Sequence, residues 1–323
     1  MKVAILILNF NGKHLLLSYL DSIVSKKEDA EIWVIDNGST DDSIDVIKNK
    51  FSDVKVLVHE KNYGYAKGYN LAVSKINADL YCFLNNDVRI ISNLVTPMRE
   101  LFKTHKNLGF AQPKIVSDLD ESIFEYAGAA GGHIDMFGFP FCRGRYLYHC
   151  QRDLGQYDSD EKITWASGAA FWVRKTAFND LGGFDEKFFM YFEEIDLCLR
   201  GKTMGWITMC NGKVKVAHLG GGTMKFNQSK KLFYNIRNSL LTYTKTIHPL
   251  ALFFLIIFRV IFDFLLGFLL FFSFKFRQVR AIIKAYNQFI FLFPETFLKR
   301  KKTLLPFHAK SVILKFLLCK LNF

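Results

Sequence analysis

The 323-residue sequence contains no CxxC pair, no GxGxxG, no GxxxxGK[ST] and no QxxRW element. Without a CxxC pair, the six cysteines (Cys82, Cys142, Cys150, Cys198, Cys210 and Cys319) are read as reduced and mostly buried. Cys142, His149 and Cys150 lack the second close-spaced ligand pair that a structural zinc requires. The missing glycine signatures exclude the common dinucleotide and P-loop cradles. The run "GAAGGH", Gly128 to His133, is glycine-rich but has no strand-to-helix context. No secretory signal is legible, because the apolar part of "MKVAILILNF" is short and runs into Asn9, Asn11 and Gly12 without a cleavage-type tail. No internal repeat is visible.

Acid is scarce at the C-terminal end. From Thr246 onward, twelve Lys and Arg face only Asp263 and Glu295, so this tail carries +10 of the formal net charge of +13. It also holds the apolar run "PLALFFLIIFRVIFDFLLGFLLFFSF", then "FIFLF", "LKRKK" and "SVILKFLLCK". Basic and apolar blocks together point to an anionic membrane surface rather than to nucleic acid, which needs cations along a groove with aromatics free to stack. The long run has the length of a spanning helix, about 20 residues, but Arg259 and Asp263 interrupt it four residues apart, a spacing that lets them pair on one helix face. A single span would separate the basic end from the N-terminal part, against the positive-inside tendency. An in-plane helix or a hairpin keeps both on the cytoplasmic side, so monotopic attachment is expected.

In "GGFDEKFFMYFEEIDLCLR", Gly182 to Arg200, five carboxylates border Phe184, Phe188, Phe189, Met190, Tyr191 and Phe192. Carboxylates against an apolar wall have shifted pKa values and suit general-base or metal chemistry. The same acids would also complement the positive end of a helix through "EEIDLCLRGKTMG".

Strand-length apolar runs ("KVAILILNF", "EIWVIDN", "VKVLVHE", "DLYCFLNND", "LGFAQPKIV") alternate with helical patterns ("HLLLSYLDSIVSK", "DDSIDVIKNKF", "GYAKGYNLAVSKI", "SNLVTPMRELFKTH"). That alternation predicts an α/β fold with an open, mostly parallel sheet, whose ligands bind beyond the carboxyl ends of the strands. Polar residues stand at three such ends: Asn9, Asn11 and Gly12; Asp36 and Asn37; Asn85, Asn86 and Asp87. They are expected to converge on one cleft. After Ser117 the alternation gives way to about 45 turn-rich residues. A strand, helix, loop and helix follow through "ITWASGAAFWVRKTAFNDLGGFDEKFFMYFEEIDLCLR", then the strand "KVKVAHLGGGT" and the helical "SKKLFYNIRNSLLTYTK".

In order and spacing, "VAILILNFNG", "VIDNGSTDDS", "NYGYAKGYN", "FLNNDV", the "SGAAFWVRK…DLCLR" segment, "VAHLGGG" and "FYNIRNSLL" resemble a family-2 glycosyltransferase of the GT-A fold, in the bacterial rhamnosyltransferase-like, single-addition group. The resemblance implies a Rossmann-like catalytic domain over residues 1–245 and leaves 246–323 as a helical, membrane-associating tail. It implies that Asn9, Phe10, Asn11, Asp36, Asn85, Asn86 and Gly168 contact a nucleoside-diphosphate sugar, and that Asp87 and His218 hold Mg2+ or Mn2+. Asn85 stands where similar enzymes often carry an acid. Glu194 occupies the position of the catalytic base, usually Asp, with Glu193 and Asp196 as alternatives. The implied reaction is inverting transfer of one sugar to a lipid-linked glycan. Arg145 and Lys67 have only a loop context as aids to the phosphates. A pyrophosphorylase would want a basic glycine-rich loop after the first strand, and a processive synthase QxxRW with several spans. A polyprenyl-phosphate sugar transferase and a noncatalytic sugar-nucleotide binder remain as alternatives.

Overall fold

The computed structural model describes residues 1–146, 148–220, 228–300 and 303–304. Gly221 and Gly222 of "HLGGG", the run "SVILKFLLCK" and Cys319 lie outside the described residues. In chain order the elements are β1 (Val3–Asn9), α1 (Lys13–Ser25), β2 (Glu31–Asp36), α2 (Ser43–Lys50), β3 (Val54–Val58), α3 (Gly64–Val73), β4 (Leu80–Asn85), β5 (Val88–Ile90), α4 (Val95–Thr104) and β6 (Leu108–Ser117). Four short strands follow: β7 (Gly132–Ile134), β8 (Pro140–Cys142), β9 (Arg145–Tyr146) and β10 (His149–Cys150). Then come β11 (Glu161–Ile163), β12 (Ala170–Arg174), α5 (Lys175–Asp180), α6 (Glu193–Thr203), β13 (Ile207–His218), α7 (Gln228–Thr246), α8 (Pro249–Phe272) and α9 (Phe276–Leu298).

The expected alternation is present through β6. Strands β1 and β4 are buried on both faces, as near-continuous apolar runs should be when helices cover a parallel sheet. The main sheet runs β11-β13-β6-β12-β4-β1-β2-β3, with β5 paired to β13. Three features depart from the sequence expectation. Strand β12 enters between β4 and β6 antiparallel to both. The apolar stretch from Ile163 divides into β11 and β12, on separate parts of the sheet, because "WASG" turns between them. Strand β13 begins at Ile207, earlier than "KVKVAHLGGGT" suggests, and carries an irregularity between Asn211 and Lys215. The turn-rich segment after Ser117 forms two small hairpins, β7-β8 and β9-β10.

Parallel pairing aligns Asn9 with Asp36 and Leu8 with Asn85, which brings three polar strand ends to one edge. Antiparallel pairing of β13 with β5 places His218 opposite Val88, directly after Asp87. The cleft is therefore a product of register.

Helices α7, α8 and α9 pack beside the sheet. On α8, Leu252, Leu255, Arg259 and Asp263 are buried and share one face. Arg259 and Asp263 pair at 3.6 Å, Asp263 accepts from Tyr286 of α9 at 2.8 Å, and the Arg259 guanidinium lies 4.8 Å over Phe139. The opposite face exposes Phe253, Phe254, Ile257, Val260, Phe264, Phe268 and Leu269. Among the described residues α8 is the one helix long and apolar enough to cross a membrane.

Gly64, at the start of α3, has φ +77°, and a Cβ there would lie 2.4 Å from the Phe189 carbonyl oxygen. The neighbouring Tyr65 N–H donates to that oxygen at 2.8 Å, tying α3 to the aromatic loop. Gly64→Ala is expected to lower the unfolding free energy by about 1–3 kcal/mol, the cost of a side chain in a left-handed, crowded position. The check is the urea midpoint of the detergent-solubilised protein at unchanged m-value. An unmoved midpoint would contradict this contact.

Candidate active site

The carboxyl edge of β1, β2 and β4 is a hydrogen-bonded floor. The Asn9 amide donates to Asp36 and to Ser39 at 3.4 Å and to Ser43 at 3.1 Å, while its oxygen accepts from Asn86 at 3.2 Å. The second Asp36 oxygen accepts the Ser39 N–H at 3.0 Å. Asn11, at φ 51°, uses its side-chain oxygen to accept the Thr40 and Asp41 N–H groups at 2.7 and 3.3 Å. A Cβ on Gly12 would meet both Asn9 and Asn86 at 2.5 Å, so the close approach of this loop requires glycine. Of the residues expected to meet a nucleotide-sugar, Asn9, Phe10, Asn11, Asp36 and Asn86 come together here. The Asn9 and Asn11 side chains are spent on shaping the floor, leaving backbone and the half-exposed Phe10 ring at its rim.

Beside this floor, His218 Nε2 lies 3.1 Å from Asp87 Oδ1 and 3.3 Å from the Asn85 amide nitrogen. Its other ring nitrogen faces Glu125 at 3.5 Å. All of Asp87, His218 and Glu125 are buried. Burial would lower the imidazole pKa, but hydrogen bonds to Asp87 and Glu125 outweigh it and raise the value to about 10. A divalent ion would have to displace the proton on His218 Nε2, after which one carboxylate oxygen and one imidazole nitrogen would form a sparse protein ligand set that leaves other positions to phosphates and water. The residues thus fit Mg2+ or Mn2+. Among the described residues no group of three or more His, Cys, Asp or Glu is arranged to hold a metal. Glu125 had no signal in the sequence; it sits in a turn-rich stretch and meets the His218 ring.

The acidic segment forms the first turn of α6, with Glu193, Glu194 and Asp196 all in it. Asp196 is fully buried and committed to cations: its oxygens meet Arg200 at 2.7 Å and Lys245 at 2.5 Å, and accept from Thr242 at 3.1 Å. It is held as a structural anion. Glu193 is buried and Glu194 partly so, and one carboxylate oxygen of each is buried without a hydrogen-bond partner among the described residues. Burial pushes the Glu194 carboxyl up to about 7, against backbone N–H groups, Gly168 among them, that favour its anion. Burial, then the neighbouring Glu194 charge, hold Glu193 well above the usual carboxylate range. Gly168 lies against Glu194, since a Cβ there would be 3.7 Å from the Glu194 carboxyl carbon and 3.2 Å from the Tyr65 hydroxyl. The structure therefore places Gly168 with the acids.

Two non-glycine residues, Tyr191 (φ 66°) and Phe192 (φ 75°), adopt left-handed backbone immediately before these acids. Each such residue costs about 1–2 kcal/mol, and a neighbouring element holds them. Asn238 of α7, fully buried, donates to the carbonyls of Met190 at 3.0 Å and Tyr191 at 2.7 Å. Arg237 donates to Asn238 at 2.8 Å and to the Lys187 carbonyl at 2.9 Å. The motif "FYNIRNSLL" contained both residues, but nothing local to it revealed what they grip.

A model of the family described as glycosyl transferase family 2 matches residues 4–182. The chain is similar to an N-acetylglucosaminyl-diphospho-decaprenol L-rhamnosyltransferase of Mycobacterium tuberculosis, 25% identical over 223 residues, which cover 64% of this chain and 72% of that one. Among solved structures it is similar to GalNAc-T7 with UDP, GalNAc and Mn2+, at TM-score 0.59 and 15% identity over 77% of this chain and 48% of that one. It is also similar to the mannosyltransferase PcManGT of Pyrobaculum calidifontis with GDP-Man and Mn2+, at TM-score 0.53 and 12% identity over 90% and 87%. These structural likenesses show the fold, an α/β GT-A-like sheet followed by C-terminal helices. With more than half of its length inside the family match, the chain belongs to glycosyl transferase family 2.

Proposed function

We propose that the protein transfers one sugar, with inversion, from a UDP- or dTDP-sugar, dTDP-rhamnose among the candidates, to a hydroxyl of a lipid-linked glycan in cell-surface polysaccharide synthesis. The observation that carries this reading is the pair Glu193-Glu194, aimed from the start of α6 with buried, unpartnered carboxylate oxygens beside an aromatic wall. Glu194 is the proposed base. It is the less buried of the two, and its raised pKa, near neutrality, suits acceptance of a hydroxyl proton. Glu193, more deeply buried, is held toward its neutral form by burial and by the Glu194 charge. Asp87 and His218 would hold Mg2+ or Mn2+, which when bound neutralises charge on the departing nucleoside diphosphate. The floor at Asn9, Asp36 and Asn86 orients the donor, Asn85 steadies His218, and Phe10 offers a ring to the nucleotide. The structural neighbours with UDP or GDP-Man and Mn2+ support a nucleotide-sugar donor and a divalent cation. The decaprenol-linked substrate in the name of the mycobacterial relative supports the acceptor.

We take residues 1–245 as the catalytic unit and 246–323 as the membrane-associating region, at the cytoplasmic face of the cell membrane. The packing of α8 supports attachment in the membrane plane. From the β7-β8 turn, Phe137 stacks on Phe258 at 3.9 Å and Phe139 meets Phe262 edge-on at 4.9 Å. A helix bound side-on to the catalytic part along Leu252–Asp263 keeps that length out of the bilayer core, while its opposite apolar face is free to lie in the interface. The basic residues around it add about 1 kcal/mol each toward an anionic surface.

Glu194→Gln is expected to lower kcat by roughly 10²–10⁴-fold, the usual worth of a general base, with donor affinity retained. Membranes carrying either form, supplied with Mn2+ and labelled UDP- and dTDP-sugars, provide the test by label in extracted lipid. Equal transfer by both forms would move the base to Glu193. Transfer by neither, with nucleotide binding intact, would favour a noncatalytic binder. For the wild type, kcat/KM should fall about tenfold per pH unit below pH 7 and level above it, because the base works only when deprotonated. A profile flat from pH 5.5 to 8 would contradict that assignment. Phe264→Glu combined with Phe268→Glu, both on exposed α8 positions, should shift the protein from floated anionic vesicles to the soluble fraction. Unchanged flotation would rule out the α8 face as the anchor.

A further inference from the structure

The anion of Glu194 takes backbone N–H groups from two sources. Those of Glu194 and Ile195 belong to its own helical turn and move with it, whereas that of Gly168 comes from the turn before β12. Gly168 therefore ties the acid to the sheet. Both neighbours of Gly168 are held elsewhere. Ser167 donates its N–H to the Gln112 side chain of β6 at 2.8 Å, and the Ala169 carbonyl accepts the Asn85 N–H at 3.0 Å. Gly168 has no Cβ to restrict its own backbone, and its carbonyl accepts from the Tyr65 hydroxyl of α3 at 3.0 Å. That hydroxyl and the Glu194 carboxyl carbon both lie within reach of a Cβ built on Gly168, so they share one side of it.

Tyr65 is itself fixed on three sides. Its ring meets those of Tyr69 and Phe184 edge-on at 4.7 and 5.7 Å, and its N–H is on the Phe189 carbonyl. Removing the hydroxyl alone leaves all three contacts in place. We propose that Tyr65 is a positioning residue for Glu194: its hydroxyl fixes the Gly168 backbone, and through it the N–H that Gly168 gives to the Glu194 carboxylate. This rests on the reading of Glu194 as the base. The titratable groups that feel the Glu194 charge are Glu193 and Cys198 on α6, Tyr65 on α3 and Cys142 on β8. Burial pushes both thiols up to about 12, and it holds Tyr65 and Glu193 well above their ordinary ranges. Of these groups, Glu194 is the one with a value near 7. Without the Tyr65 hydroxyl, the Gly168 N–H is free to turn away while the acid stays buried. The anion then loses a donor, and the Glu194 pKa rises.

The experiment follows the Glu194 carboxyl directly, by infrared difference spectra of the detergent-solubilised full chain carrying carboxyl-labelled glutamate, with Glu194→Gln as the blank. Tyr65→Phe should move the Glu194 midpoint upward by about one pH unit, the worth of a weakened hydrogen bond to a carboxylate. In membranes, sugar transfer by this variant should then fall about tenfold near pH 6 and return to the wild-type rate near pH 9. A loss from misfolding alone would be the same at every pH. Tyr69→Phe is the control, because that hydroxyl, also on α3, serves β1 instead: it donates to the Leu6 carbonyl at 3.2 Å and accepts the Leu8 N–H at 3.1 Å. This control should leave the midpoint in place. An unmoved midpoint in Tyr65→Phe overturns the proposal. So does a downward shift, which would mean that the hydroxyl only keeps water out, or an equal shift in Tyr69→Phe. An upward midpoint with an unmoved transfer profile upholds the clamp on Gly168 and fails the base reading instead.

Discussion

Two acidic side chains kept out of water at the start of α6 are the costliest arrangement in the cleft. Burial drives Glu193 and Glu194 toward their neutral forms, and only backbone N–H groups near the helix start oppose that. Holding them there requires Tyr191 and Phe192 in left-handed backbone, and that turn persists because Asn238 holds the two carbonyls before it. Asp196, three residues after Glu193, contributes in the opposite sense. Its charge is matched by Arg200 and Lys245, and it pins the helix that carries Glu193 and Glu194. Within one helical turn, one acid is neutralised by partners and two are left exposed to the consequences of burial.

The division of labour between the two flanks follows from the sheet. Parallel pairing of β1, β2 and β4 builds the floor from short amide and hydroxyl contacts, which suits recognition of a nucleotide through fixed geometry. The antiparallel β13-β5 pairing brings His218 to Asp87, and a loop after β6 brings Glu125 to the other side of the same ring. The imidazole is therefore oriented from both nitrogens.

Much of this was legible in the sequence, for identifiable reasons. The first four strands and three helices announce themselves by period and by strand-end polarity, and the acids of "FFMYFEE" stand out against their aromatic neighbours. Less legible was anything decided by distant pairing. A three-residue strand such as β5 has too little pattern to see, and strand direction has no local signature, so the antiparallel β12 was invisible. Asn238 and Glu125 are ordinary polar residues until a remote loop or ring reaches them. Asn9 and Asn11 stood out as polar residues at a strand end, but that their side chains build the floor depends on Ser39, Ser43, Thr40 and Asn86, which only the folded chain assembles.

Helix α9 packs on α8, whose outer face is apolar, and on the aromatic loop before Glu193 at once. Gln288 accepts from Arg237, and Glu295 pairs with Lys187, the residue whose carbonyl Arg237 also grips. A cut after residue 245, the obvious way to obtain a soluble fragment, would remove both contacts from the far side of that loop. Such a fragment would report the chemistry of a loosened active site, so solubility and fidelity to the native enzyme pull in opposite directions in this fold.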